Sequence, residues 1–210
     1  MDINTITNTK IIKNIFTEEE LTFLYSEINN IIKEDYVVQE VLGRLYSILY
    51  WKEYKEENNG SINLKINKKI FDKIIDIAEK KLNKQLELES ISFTRYSKQY
   101  GSPNLHPHVD TKFKTPRLTF DIQLDSNLDW AIVVEGESSI LKNNEALIFS
   151  GTNEVHWREK KVFNDDEYLD MLLCQFSEKT TYINEISPEF IKERDIRQKT
   201  IKLKYDKGII

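Results

Sequence analysis

The sequence predicts an α+β fold in which two N-terminal amphipathic helices pack against an antiparallel β sandwich or barrel. Three observations predict it. Apolar residues recur at helical spacing within the first 84 residues, and from about Gln85 the period changes to two and stays so for about ninety residues. No helical pattern separates the short strands that follow, which excludes the βαβ crossovers of a parallel sheet.

The elements follow in order. Residues 10–16, Lys-Ile-Ile-Lys-Asn-Ile-Phe, read as a short strand, and Thr17 to Glu20 form a capping box that opens a helix. Leu21, Leu24, Tyr25, Ile28, Ile31 and Ile32 give that helix one apolar face and carry it to about Lys33. The aromatic stretch from Tyr36 to Tyr54 is ambiguous between helix and strand. An Asn59-Gly60 turn and a short strand at Ile62 to Ile66 lead into a second helix, striped by Ile70, Phe71, Ile74, Ile75, Ile77, Ala78 and Leu82. Period-two segments then run at Leu86–Tyr96, His106–Asp110, Arg117–Leu124, Trp130–Val134, Ser139–Leu141, Ala146–Phe149 and Tyr168–Phe176. Turn chemistry separates them at Gly101–Asn104, Asp125–Asn127, Glu135–Glu137, Asn143–Asn144 and Ser150–Asn153. Ser187-Pro188-Glu189 is a helix start, and the last dozen basic residues read as a tail or an arm onto a partner.

Composition narrows the function classes. The length of 210 residues suits one domain, and a single cysteine, Cys174, in the apolar run Met171–Cys174 excludes an intramolecular disulfide and reads as a core residue. The start of the chain lacks the basic and apolar regions of a secretory signal, and no stretch is long enough to span a bilayer, which predicts a reducing cytoplasmic setting and no membrane partner. Thirty basic against thirty-five acidic residues give a net charge of −5, which disfavours nucleic acid as a partner because phosphate contacts dominate such binding. Basic clusters at Lys65, Lys68 and Lys69, and from Arg197 to Lys207, read as solvated surface.

The informative feature is the histidine distribution. All three histidines, His106, His108 and His156, lie in or near one pattern with Asp110. On a strand, residues two apart face the same way, so His108 and Asp110 can present a nitrogen and an oxygen to one ion. His156 must arrive from another strand. Two imidazoles and one carboxylate make a facial triad, the donor set of non-haem Fe(II) oxygenases, which leaves other coordination positions open. His106 shares the face of His108 and can compete for the ligand role or stand at the pocket rim.

The order of these elements resembles the 2-oxoglutarate and Fe(II)-dependent oxygenases, most closely the prolyl-4-hydroxylase-like branch. The likeness covers residues 90–176 and is carried by Thr94-Arg95-Tyr96, His108-Val109-Asp110, Arg117 through Leu124, Glu145 through Phe149, His156 and Cys174-Gln175-Phe176. It implies a double-stranded β-helix, a jelly-roll or cupin-like barrel, with N-terminal helices on one sheet and a C-terminal helical extension. Residues 1–177 would be one oxygenase domain, 1–84 its helical support and 85–177 its core, with 178–210 the extension. The implied cofactors are Fe(II) on His108, Asp110 and His156, with 2-oxoglutarate and O2 as cosubstrates.

The sequence departs from the family at the residue that holds the far carboxylate of 2-oxoglutarate. Nine and ten residues after His156, where many relatives carry Arg or Lys, stand Asp165 and Asp166. Arg158, Arg117 and Lys160 are the available replacements, with Arg158 preferred and Arg117 next. Along residues 117–124, Arg117, Thr119, Asp121 and Gln123 alternate with Leu118, Phe120, Ile122 and Leu124. Thr119, Gln123 and Tyr96 are then expected as a hydrogen-bonding wall around the cosubstrate. Trp130 and Trp157 are candidates to shape a pocket, Tyr96 and Tyr100 to cover it, and Gly101–Asn104 to be a mobile connection at its mouth.

The presence of Asp110, which related halogenases lack, favours hydroxylation of a C–H bond in a small molecule or a protein side chain. The oligomeric state is left open by the sequence, and the C-terminal extension is the surface a homodimer would use. Two other readings remain: a non-catalytic β-barrel binding module, to which the missing anchor lends some support, and a cupin-like metalloenzyme that uses no 2-oxoglutarate.

Overall fold

A computed structural model describes residues 10–34, 36–51, 67–110, 117–179 and 186–210. Thr17 caps the first helix as its sequence implies: its hydroxyl accepts from Glu20 N at 3.2 Å, and Glu20 Oε2 accepts from Thr17 N at 2.9 Å. This helix, α1 (Glu18–Glu34), is tied by a Lys73–Glu20 ion pair to a second, α2 (Lys68–Leu82). Both lie on one large antiparallel sheet.

That sheet has seven strands: β1 (Lys10–Lys13), β2 (Val37–Gln39), β3 (Arg44–Trp51), β4 (Leu86–Ser97), β5 (Leu118–Ser126), β8 (Glu145–Phe149) and β10 (Tyr168–Glu178). Their spatial order is β1-β8-β5-β10-β4-β3-β2. A smaller sheet, ordered β7-β6-β9, is built from β6 (Ile132–Val134), β7 (Glu137–Ser139) and β9 (His156–Arg158). The neighbours β8, β5, β10 and β4 come from distant parts of the chain, so the strands wind back and forth between two sheets as in a jelly roll.

Alternation on each strand sorts three apolar clusters. Leu118, Phe120 and Ile122 of β5 join Leu172, Cys174 and Phe176 of β10 beneath Leu24, Ile28 and Ile74 of the two helices. Between the sheets lie Tyr96, Trp130, Ile132, Leu147, Phe149 and Met171. Outside the small sheet, Val109, Val133, Val155 and Trp157 pack on Tyr205 of the C-terminal helix α3 (Pro188–Asp206).

Several elements differ from expectation. The ambiguous stretch after Tyr36 folds as β2, a 3₁₀ turn at Glu40–Leu42, and β3, which places Leu45 and Leu49 against the helices. Residues 106–110 form no strand: only one antiparallel bridge, His108 with His156, joins them to the small sheet, and Pro107 supplies no N–H for a longer ladder. The return strand is Glu137–Ser139 rather than Ser139–Leu141, because Glu135 (φ 49°) and Gly136 (φ 89°) make a two-residue turn that starts it at once. The basic C-terminal stretch is helical to Asp206, with Arg194 and Tyr205 buried on an otherwise polar helix whose scattered apolar residues give little periodic signal. The Asn59-Gly60 turn and the Ile62–Ile66 strand lie outside the described residues.

Candidate metal centre

His108, Asp110 and His156 come together at one end of the space between the sheets, their candidate ligand atoms all within 4.8 Å of one another. The bridge that pairs His108 with His156 is what aligns them. Its two backbone bonds, His108 N to His156 O at 3.1 Å and His156 N to His108 O at 2.9 Å, set the imidazole centroids 4.2 Å apart. Asp110 is anchored from the other side, its N donating to Gly151 O at 2.8 Å.

The hydrogen bonds around this cluster decide its chemistry. Nδ1 of His108 lies 2.8 Å from His106 O, and Nδ1 of His156 lies 3.0 Å from Glu154 O. A carbonyl only accepts, so in each ring Nδ1 carries a proton and Nε2 is the nitrogen turned toward Asp110. Both Nε2 atoms face Asp110 Oδ1 at 3.9 Å, too far for a hydrogen bond. Thr119 Oγ1 and Gln175 Nε2 both donate to the other oxygen, Oδ2, at 3.2 Å, which leaves Oδ1 free. Two imidazole nitrogens and one carboxylate oxygen thus converge with no hydrogen bond joining them, and this donor set fits a cation.

Electrostatics agree. Burial, then the neighbouring His108, draws the His156 imidazole well below its usual range and keeps it neutral. Burial pushes the Asp110 carboxyl up, against the pull of His108, Thr119 and Gln175. A bound cation reverses that push.

A cavity of about 430 Å³ opens from these three residues between the sheets. Arg158 lines it two residues beyond His156, 2 % exposed, with Nη1 donating to Trp130 O at 2.5 Å and its guanidinium 5.0 Å from the Trp130 ring. Asp121 lines the same cavity, and burial lifts its carboxyl to about 7 although Arg158 pulls the other way. Thr119 and Tyr96 also line it.

The remaining sequence candidates fall elsewhere. Arg117 pairs with Glu89 at 3.2 Å, and Lys160 donates to Tyr205 O at 2.5 Å outside the small sheet. Gln123, expected in the wall, shares the face of Thr119 and Asp121 but lies too far along β5: it bonds Asn143 at 3.1 Å in a separate depression. Trp157 packs on Tyr205 outside the barrel and shapes no part of the cavity. Tyr100 packs against the helix-side core. His106 lines the cavity, with its ring edge-on to Tyr205, and serves His108 through its carbonyl.

The Gly101–Asn104 connection is bound rather than loose. Asn104 donates to Val41 O at 2.7 Å, and Gly43 (φ 57°) abuts Pro103 so closely that a β-carbon there would overlap it. The sequence assigned no site role to Gln175 or Gly151, which hold Asp110, or to Arg44, which lines the cavity. Gln175 carried a signal, a polar residue on the inner face of an apolar strand; the other two are recognisable only from their neighbours in space.

No protein-family model and no curated protein sequence matches the chain. Solved structures do. SnoN, a non-heme alpha-ketoglutarate-dependent epimerase of nogalamycin biosynthesis, superposes with a TM-score of 0.61 at 12 % identity, covering 82 % of this chain and 78 % of SnoN. A Trichoplax adhaerens prolyl hydroxylase, solved with a hypoxia inducible factor peptide, gives 0.55 at 11 % identity, with 92 % and 90 % covered. HygX from Streptomyces hygroscopicus, solved with nickel and 2-oxoglutarate, gives 0.53 at 12 % identity, with 85 % of each chain covered. The chain therefore has the double-stranded β-helix fold of the 2-oxoglutarate/Fe(II) oxygenases, and its His-Asp-His cluster lies between the two sheets of that fold.

Proposed function

We propose that this protein is a 2-oxoglutarate- and Fe(II)-dependent dioxygenase, and within that class a hydroxylase of a C–H bond in a small molecule or a side chain, releasing succinate and CO2. The convergence of two imidazole Nε2 atoms and Asp110 Oδ1 at the end of a cavity that also holds a buried guanidinium carries this reading. His108, His156 and Asp110 would hold the iron. Bound iron supplies activation of O2 coupled to oxidative decarboxylation of 2-oxoglutarate.

The chain's own residues do the rest. The carbonyls of His106 and Glu154 fix both imidazole tautomers, and Thr119 and Gln175 hold Asp110 so that one oxygen faces the histidines. Arg158 stands ready for the far carboxylate of 2-oxoglutarate, since a buried anion needs a charge partner and the guanidinium offers planar donors. Tyr96 and Thr119 form the adjoining wall.

Anaerobic addition of Fe(II) and 2-oxoglutarate tests the reading. A weak visible charge-transfer band is expected, as is its loss, together with succinate formation, in Asp110→Ala of native circular dichroism. Absence of the band in wild type would refute the assignment; a product one oxygen atom heavier than its substrate identifies the hydroxylase.

A further inference from the structure

The cavity is lined by one cation that the chemistry above does not employ. Arg44 projects from β3, opposite Tyr96 in the β3–β4 register, and lines the cavity on the side of β3 and the 3₁₀ turn before it. Neutral acceptors alone hold it: Nε donates to Gln39 Oε1 at 2.6 Å and Nη1 to Tyr96 Oη at 3.2 Å. The guanidinium also lies 5.3 Å from the Tyr46 ring and 5.9 Å from the Tyr96 ring.

No carboxylate among the described residues pairs with Arg44. Outside this cavity the described arginines find one: Arg95 has Asp170, Arg117 has Glu89, Arg194 has Asp195 and Arg197 has Glu135, whereas Arg158 within it bonds the Trp130 carbonyl and has been assigned to 2-oxoglutarate. Asp121 lines the same cavity but forms no ion pair or hydrogen bond with Arg44. Of the five donors of a guanidinium two are committed, so part of a rigid fork stays free within a partly enclosed site.

A fork held in place by neutral groups, with no anion of its own, is complementary to a carboxylate from outside. We propose that Arg44 binds the carboxylate of the primary substrate, and that this substrate is a small carboxylic acid, such as a free amino acid or a short-chain organic acid. The volume of about 430 Å³ is at the small end for ligand pockets and must also hold 2-oxoglutarate, which suits a small acid. Ser90 and Ser92 line the same cavity, the Ser90 hydroxyl donating to Gln175 Oε1 at 3.0 Å. The inference rests on the oxygenase reading for its catalytic sense.

The test uses full-length protein loaded with Mn(II) and 2-oxoglutarate, with the binding of each measured first. Calorimetric titrations then compare free L-amino acids and four- to six-carbon monocarboxylic acids, each against its primary amide. At least one acid is expected to bind tenfold or more tightly than its amide. Arg44→Gln should abolish that preference and Arg44→Lys retain part of it, while Mn(II) and 2-oxoglutarate affinities stay within twofold of wild type.

Equal binding of acid and amide by the loaded wild type, or binding of none of the acids, overturns the proposal without any variant having to fold. An increased 2-oxoglutarate requirement in Arg44→Gln also overturns it, by assigning Arg44 to the cosubstrate. Failure of wild type to bind Mn(II) and 2-oxoglutarate refutes the oxygenase reading itself, and the substrate assignment with it.

Discussion

Gly151 lies so close to Asp110 that a β-carbon added at residue 151 would overlap both Asp110 Oδ2 and Thr119 Oγ1. The same glycine's carbonyl accepts the Asp110 N–H at 2.8 Å, so one residue fixes the backbone and the carboxylate of the proposed anionic ligand. Its φ is not in the left-handed region; glycine is required here for space alone.

Gly151→Ala should therefore push the Asp110 carboxylate and the Thr119 hydroxyl out of place. Loss of such support typically weakens metal binding about 10- to 100-fold. Titration with Mn(II), followed by electron paramagnetic resonance, measures it. Wild-type affinity in the alanine variant would show that Asp110 needs no such clearance.

Arg158→Ala should raise the 2-oxoglutarate requirement while sparing the metal site. Removing one partner of a buried charged hydrogen bond costs about 2 kcal/mol or more, roughly thirtyfold in affinity. Paired 2-oxoglutarate and Mn(II) titrations separate the two effects. An unchanged 2-oxoglutarate dissociation constant removes Arg158 from that role.

Asp121 makes the metal-free protein pH-sensitive. Burial raises its carboxyl to about 7 in the folded chain, against about 3.9 when unfolded. Between those values the folded state keeps a proton that the unfolded state releases, so stability falls as pH rises through this window. The loss is at most about 4 kcal/mol, from a shift of about three pH units. Asp121→Asn is neutral throughout, so thermal unfolding in chelator should show it gaining on wild type from pH 4 to pH 7 and levelling off above. A gap that does not vary with pH would remove Asp121 as the source.

The candidate ligands were legible by residue type and order, and the i, i+2 relation of His156 to Arg158 on β9 puts that pair on one face. His108 and Asp110 lie on no strand, and it is the bridge to His156 and the Asp110 N–H bond to Gly151 O that align them. The helices were legible through their apolar stripes and the Thr17 capping box. The β3 strand was not, because Arg44, Tyr46 and Ser47 break any simple period: one face meets the helices and the other a partly polar cavity. Gln123 misled for a related reason, since alternation gives a residue's face but not its distance along the strand from the metal end.

The sequence by itself determined the α+β class and the change of period near Gln85, which rest on spacing over a few residues, and it named the three candidate ligands by donor type and order. Tertiary structure decided which oxygen of Asp110 faces the histidines, that Arg158 rather than Arg117 or Lys160 reaches the cavity, and that Arg44 stands there without a carboxylate. Those outcomes depend on contacts between strands far apart in the chain, and the register and packing of two sheets, rather than any local pattern, set them.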